Sequence, residues 1–249
     1  MIPKIIHYCW FGRNPLPEMA QKCIASWKMF FPDYEIKGWN EDNFDVNLIP
    51  YTQQAYEAKK YAFVSDYARF WILFNYGGLY FDTDVEVIKP MDDIIERGPF
   101  MGCESNSETK IDVAPGLGLG VNAGSDLYKE LLDLYATLKF KNEDGTLNKK
   151  TIVSYTTEIL YKHGLKPLSG IQVVDGVWVY PSDYFNPLDD LTGKLKVTEH
   201  TRTIHWFMNS WGTQSQMRRW FSRMSHRIFG LRLHQLKRTI LGIINTTQI

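Results

Sequence analysis

Apolar and polar positions along this chain alternate between a two-residue and a roughly 3.6-residue period. Residues 3 to 11, Pro-Lys-Ile-Ile-His-Tyr-Cys-Trp-Phe, read as a strand that ends in aromatic side chains before the turn Gly12-Arg13-Asn14-Pro15. From 17 to 30, apolar side chains at 19, 20, 23, 24, 27 and 30 keep a helical period, which Phe31-Pro32-Asp33 stops. Tyr34 to Trp39 returns to strand, and this β-α-β opening predicts parallel pairing with at least one covered face. After a polar loop and a short helix near 52 to 60 comes Tyr61 to Tyr76. There Phe63, Val64, Tyr67, Phe70, Trp71 and Phe74 wrap most of a helical surface, so this helix is expected to be buried on more than one side.

The pattern then changes abruptly. Gly77-Gly78 stops the helix, Leu79-Tyr80-Phe81 reads as a short buried strand, and Asp82-Thr83-Asp84 follows before an apolar run from Val85 that Pro90 closes. Residues i and i+2 of a strand share a face, so a persistent extended conformation would aim both carboxylates into one space. Two converging anions call for a cation, and a hard divalent metal held by one or two carboxylates with substrate phosphates completing its shell is the usual chemistry. A turn with two solvated Asp residues is the plain alternative. Asp66 and Arg69, three apart on the preceding helix, share one of its faces. They form either a local ion pair or a part of the same site.

Downstream the elements are shorter. Strands are expected near 100 to 104, 172 to 174 and 177 to 180, the last two joined by the hairpin signal Asp175-Gly176, with helices from about 125 to 140 and 150 to 163. Gly116-Leu117-Gly118-Leu119-Gly120 lacks the acidic residue a dinucleotide fingerprint requires, and reads instead as a strand whose backbone is closely approached. Thr203 to Trp211 delivers His205 at a strand end, followed by Asn209, Ser210 and Trp211, which is either core packing or a ligand set. From 214 onward, apolar residues at helical spacing alternate with basic ones, a pattern that suits an anionic membrane surface or a helix packed on the core.

Composition narrows the function classes. A chain of 249 residues with 44% hydrophobic and 22% charged positions suits one globular domain with an appendage, here 1–213 and 214–249. Twenty-eight basic and 28 acidic residues leave no global field for nucleic acid, although residues 218 to 249 gather seven Lys or Arg and no acid. Three cysteines, a short apolar run after Met1 and no window near the ~20 apolar residues of a spanning helix place the body of the chain in the cytoplasm, peripheral on the inner membrane face if the tail binds lipid. Neither a nucleophilic triad, a phosphate-binding loop nor a zinc signature has convincing spacing.

Four pieces together resemble glycosyltransferase family 32, the Asp-x-Asp group that includes capsular polysaccharide synthesis proteins and an initiating α-1,6-mannosyltransferase. They are Ile2 to Gly12, Ala62 to Arg69, Tyr76 to Asp84 and His205 to Trp211, in the family's order. The resemblance implies an α/β fold of the GT-A (Rossmann-like) type, a mixed, mainly parallel sheet flanked by helices, with the basic amphipathic tail outside it. It implies a retaining hexosyltransferase using a nucleotide sugar (a UDP-sugar, or GDP-mannose) and Mn²⁺ or Mg²⁺, acting on a saccharide or lipid-linked acceptor in surface polysaccharide synthesis. Carried over by position, Trp10 would stack near the nucleobase, and Asp66 and Arg69 would hold the donor sugar and its phosphate side. Tyr80 and Asp82 would lie among the donor contacts, and Asp84 would bind the metal with Asp82 and His205. Asn209, Ser210 and Trp211 would close over the diphosphate. A binding protein without turnover and a metal-dependent phosphodiesterase are the rival readings.

Overall fold

The computed structural model describes residues 1–208. Asn209, Ser210, Trp211, the boundary at 213 and the basic tail lie outside the described residues. In chain order the elements are β1 (Ile5–Cys9), α1 (Glu18–Phe30), β2 (Glu35–Trp39), α2 (Pro50–Glu57), α3 (Tyr61–Tyr76), β3 (Gly78–Tyr80), β4 (Val85–Val87) and α4 (Asp92–Ile95). They continue as β5 (Phe100–Asn106), β6 (Ile111–Val113), β7 (Leu119–Val121), α5 (Asp126–Thr137), α6 (Ile152–Lys162), β8 (Gln172–Val174), β9 (Val177–Tyr180), α7 (Ser182–Phe185) and β10 (Thr203–His205). Residues 1–187 and 197–208 form one compact unit. The segment Leu188–Lys196 belongs to a second, and within it Leu188 bridges Leu195 in antiparallel fashion.

The main sheet is mixed, in the order β2-β1-β3-β7-β5-β9-β8, with β6 added on β5. Parallel pairing joins β1 to both β2 and β3, as the β-α-β opening implies, and joins β5 to β9. Antiparallel pairs link β3 to β7 and β7 to β5. Two apolar cores lie against this sheet. Alternate residues of β3 and its extension divide between them, Tyr80 entering the core of α2, α3, α5 and α6, while Leu79 and Phe81 enter the one containing Trp27 of α1 and Phe31 just after it. As its composition suggests, α3 is buried on several sides, from Val64 through Leu73. Cys9, Cys23 and Cys103 are buried and unpaired. No helix among the described residues is long and apolar enough to cross a membrane.

The corner between α3 and β3 places everything that follows. Gly77 (φ +64°) ends the helix with its amide on the Leu73 carbonyl, and a Cβ there would lie 2.8 Å from the Ala123 nitrogen. Gly78 (φ +102°) passes so close to β1 that a Cβ would meet the Ile5 carbonyl oxygen at 2.6 Å. Only glycine fits both the left-handed backbone and this contact. The buried His7 of β1 ties the corner down. Its Nδ1 accepts from the Trp39 indole at 3.1 Å, so Nε2 carries the proton and donates to the Gly77 carbonyl at 3.0 Å.

A small antiparallel ribbon, β4 with β10, stands beside the sheet and pairs His205 with Val85. Helix α1 supports it. The Trp27 indole donates to the Val85 carbonyl at 2.8 Å, and the Ser26 hydroxyl accepts the Val87 amide at 2.9 Å.

Burial pushes the His7 imidazole down from its ordinary 6.5 to about 4. The unfolded chain therefore binds a proton in that window that the folded chain refuses, and stability rises with pH through it. Acidification from pH 6.5 to pH 4 should cost of order 3 kcal/mol through this group. Urea midpoints for wild type and His7→Gln across the window check this, with the variant showing the shallower acid loss.

Candidate active site

The two motif carboxylates do not follow one another along an extended strand. Strand β3 ends at Tyr80, and the Val85 amide closes back on the Asp82 carbonyl at 3.0 Å, so residues 82 to 85 form a turn. This corrects the expectation of a persistent extended chain. Strand β4 pairs with β10 in a second sheet, and the two carboxylates take different hydrogen-bond partners across the turn.

Asp82 is directed toward α3. The Arg69 guanidinium lies between two carboxylates, with Nη2 3.0 Å from Asp66 and 3.3 Å from Asp82, and Nε donating to the Ser65 carbonyl at 3.2 Å. Its side chain is 4% exposed and stands 5.0 Å from the Tyr80 ring centroid. Tyr80, expected among the donor contacts, is 1% exposed. It reaches the site only through its hydroxyl, which donates to Asp82 at 3.1 Å. Burial pushes the Asp66 carboxyl above its usual range, with the Asp82 charge adding to the effect and the Arg69 charge opposing it. Arg69 itself stays charged, because the attraction of Asp82, Tyr80 and Asp66 outweighs its burial. Asp66 and Arg69 are thus no solvated surface pair, since both are buried and are joined to the motif through Asp82.

Asp84 belongs to the ribbon side. One carboxylate oxygen is 3.2 Å from His205 Nε2 and the other accepts the Met208 amide at 2.8 Å, while its carbonyl takes the Trp206 amide at 2.9 Å. Phe207, at φ +50°, turns the chain so that the Met208 amide faces back to the carboxylate. Burial alone would raise the Asp84 carboxyl, but the His205 charge, the ring hydrogen bond and the Met208 amide hold it below its usual range. The same pairing holds His205 above the ordinary imidazole value, although burial opposes its charge. His205 Nδ1 is buried with no hydrogen-bond partner among the described residues.

Of the three residues expected around a metal, Asp84 pairs with His205 and Asp82 with Arg69, and the Asp82 charge also acts on His205. Among the described residues no three His, Cys, Asp or Glu side chains gather into a metal-binding group. A carboxylate oxygen beside an imidazole nitrogen nevertheless suits a hard divalent ion that takes its remaining ligands from phosphate and water. Trp10 follows β1, its amide donating to the Trp39 carbonyl at 2.8 Å and its indole to the Asn14 carbonyl at 2.7 Å. It belongs to neither apolar core.

Residues 17–101 match the family model described as a glycosyltransferase sugar-binding region containing a DXD motif. The matched stretch carries Asp66, Arg69, Tyr80, Asp82 and Asp84. An inositol phosphoceramide mannosyltransferase of Schizosaccharomyces pombe is 28% identical over 111 residues, 40% of this chain and 33% of that one. The chain thus spans about a third of the length of that relative. An uncharacterized glycosyltransferase of Acanthamoeba polyphaga mimivirus is 25% identical over 198 residues, 75% of this chain and 76% of that one. Among solved structures, the PaToxG glycosyltransferase superposes with a TM-score of 0.50 at 20% identity, over 65% of this chain and 69% of that one. The fold is of the GT-A type.

Composition and spacing did not point to the Met208 amide, which side-chain identity cannot signal. Gly116 was flagged only as part of a closely approached run. In the structure, the Asp82 amide donates to the Gly116 carbonyl at 2.9 Å.

Removing the buried cation should be costly. Arg69→Ala leaves Asp66 and Asp82 without their shared partner and should lose roughly 3–5 kcal/mol of stability, read from denaturant midpoints. Arg69→Lys should recover part of this as a point charge without the planar fork.

Proposed function

We propose that this chain is a metal-dependent, retaining hexosyltransferase that takes a sugar from a nucleotide-sugar donor and passes it to a saccharide or lipid-linked acceptor in surface polysaccharide synthesis. The observation that carries the reading is the division of charge around the DXD turn. A buried, permanently cationic Arg69 braces Asp82 on one side, and a carboxylate-imidazole pair, Asp84 and His205, stands on the other. Residues 17–101 supply the family context for that arrangement.

In this reading Asp66 and Asp82 accept hydroxyl hydrogen bonds from the donor sugar or ribose. Arg69 keeps both carboxylates fixed and adds positive potential on the phosphate side. Trp10 stacks near the base, and the segment holding Asn209, Ser210 and Trp211 closes over the diphosphate. Asp84 and His205 would hold Mn²⁺ or Mg²⁺, which neutralises the charge that the departing nucleoside diphosphate acquires. The carboxylates flanking the sugar balance the positive character of the reacting carbon. A UDP-sugar is the favoured donor. GDP-mannose is the alternative donor, and the fission-yeast relative, an inositol phosphoceramide mannosyltransferase, supports a mannosyl group and an inositol-lipid acceptor beside it. We further propose that the basic segment from 214 onward holds the protein to an anionic membrane surface, where each Lys or Arg contributes about 1 kcal/mol.

Incubation with Mn²⁺ and a panel of UDP- and GDP-sugars, with and without acceptors, tests the assignment through release of nucleoside diphosphate. Asp84→Ala should lose this release by at least a hundredfold while keeping the circular dichroism spectrum and denaturation midpoint of a folded protein. Undiminished release in that variant would remove Asp84 from the metal site, and binding of donor without release would favour a binding protein. Co-sedimentation with vesicles containing anionic lipid should require residues 214–249, and equal recovery of the truncated chain would eliminate the membrane contact.

A further inference from the structure

Gly116 lies against the DXD turn although it is more than thirty positions away in sequence. An alanine methyl at this position would stand 1.9 Å from Asp82 Oδ2, 2.8 Å from its Cγ and 3.1 Å from Arg69 Nη1. No pair of heavy atoms tolerates the first of these distances. The backbone does not explain the glycine, because Gly116 is not among the glycines with positive φ. It follows Pro115 in a turn closed by the Leu117 amide on the Ala114 carbonyl at 3.2 Å, a geometry open to most residues. The demand at this position is for space, and the group that fills the space is the Asp82 carboxylate.

The same residue also holds Asp82 from its backbone, since the Gly116 carbonyl accepts the Asp82 amide at 2.9 Å. Its own segment is anchored through the Ala114 amide on the Gly102 carbonyl of β5 at 3.0 Å. Asp82 is therefore confined on three sides. The Tyr80 hydroxyl and the Arg69 guanidinium supply hydrogen bonds, and the bare backbone at Gly116 supplies a wall.

We propose that Gly116 is a positioning residue of the donor site, setting the placement of the Asp82 carboxylate and, through it, the affinity for the nucleotide sugar. This rests on the hexosyltransferase reading given above. An added methyl group must displace the carboxylate from Arg69 and Tyr80 or push the turn away and break the hydrogen bond from the Asp82 amide to the Gly116 carbonyl. Displacements of about 1 Å in a positioning group can cost a hundredfold in rate.

The experiment uses the full chain with whichever of UDP-glucose, UDP-galactose or GDP-mannose the wild type turns over. Gly116→Ala should raise the donor KM at least tenfold and leave the acceptor KM unchanged. Donor affinity, measured by calorimetry in Asp82→Ala and in the Gly116→Ala/Asp82→Ala double variant, should agree within twofold, because the residue acts only through Asp82. A wild-type donor KM in Gly116→Ala overturns the proposal, as does an equal added loss in the Asp82→Ala background. Should Gly116→Ala fail to fold, the double variant, which lacks the clashing carboxylate, should fold, and its failure also overturns the proposal. Absence of turnover with every donor in the wild type removes the hexosyltransferase reading itself, and this role with it.

Discussion

A guanidinium buried to 4% exposure between two carboxylates is the constraint around which the site of this protein is built. Desolvating a charge costs several kcal/mol unless the protein returns that energy through close, well-directed partners. Arg69 receives them from three places in sequence: its own helix through Asp66 and Ser65, the strand end through Asp82, and the Tyr80 ring. Each requires α3 and β3 to meet at one angle. The glycine corner at 77 and 78 supplies that angle, and His7 with Trp39 locks the corner from the first two strands. Packing and charge thus specify the same geometry, and loosening either would expose the other.

The DXD turn divides its labour because it joins two sheets. Asp82 closes the main sheet and remains in the electrostatic reach of α3. Asp84 begins the excursion to the β4–β10 ribbon, where His205 arrives from more than a hundred residues downstream. The ribbon is held by side-chain bonds from α1, so the first helix of the chain indirectly positions the second carboxylate. One half of the site is therefore rigid and fully paired. The other half presents an imidazole with one nitrogen on Asp84 and the other buried without a hydrogen-bond partner among the described residues.

Much of this was legible in the chain. The period of residues 17 to 30 and the nearly all-round apolar surface of 61 to 76 announced helices that the structure contains, because burial against a sheet imposes those periods. The hairpin at Asp175-Gly176 appeared where two residues of the right conformational freedom separate two short apolar runs. Gly116 to Gly120 read as a closely approached backbone, and Asp82 beside Gly116 and Phe100 beside Gly120 are the groups that approach it. Strand β6 was not anticipated, since three residues beside a polar loop carry too short a pattern. The resemblance puts Tyr80 among the donor contacts, and the alternation of β3 sends its ring into a core with its hydroxyl on Asp82.

Local order in the chain determined the elements and the residue types of the site. Periodicity, glycine position and the identity of ionisable side chains all act over a few residues and are written directly in the sequence. Tertiary structure decided which groups meet. The union of Asp66 and Arg69 with Asp82, the pairing of Asp84 with His205 and the wall at Gly116 all join separate elements of the chain. Such contacts depend on the angle between packed elements, a property of the whole core that no short stretch of sequence contains.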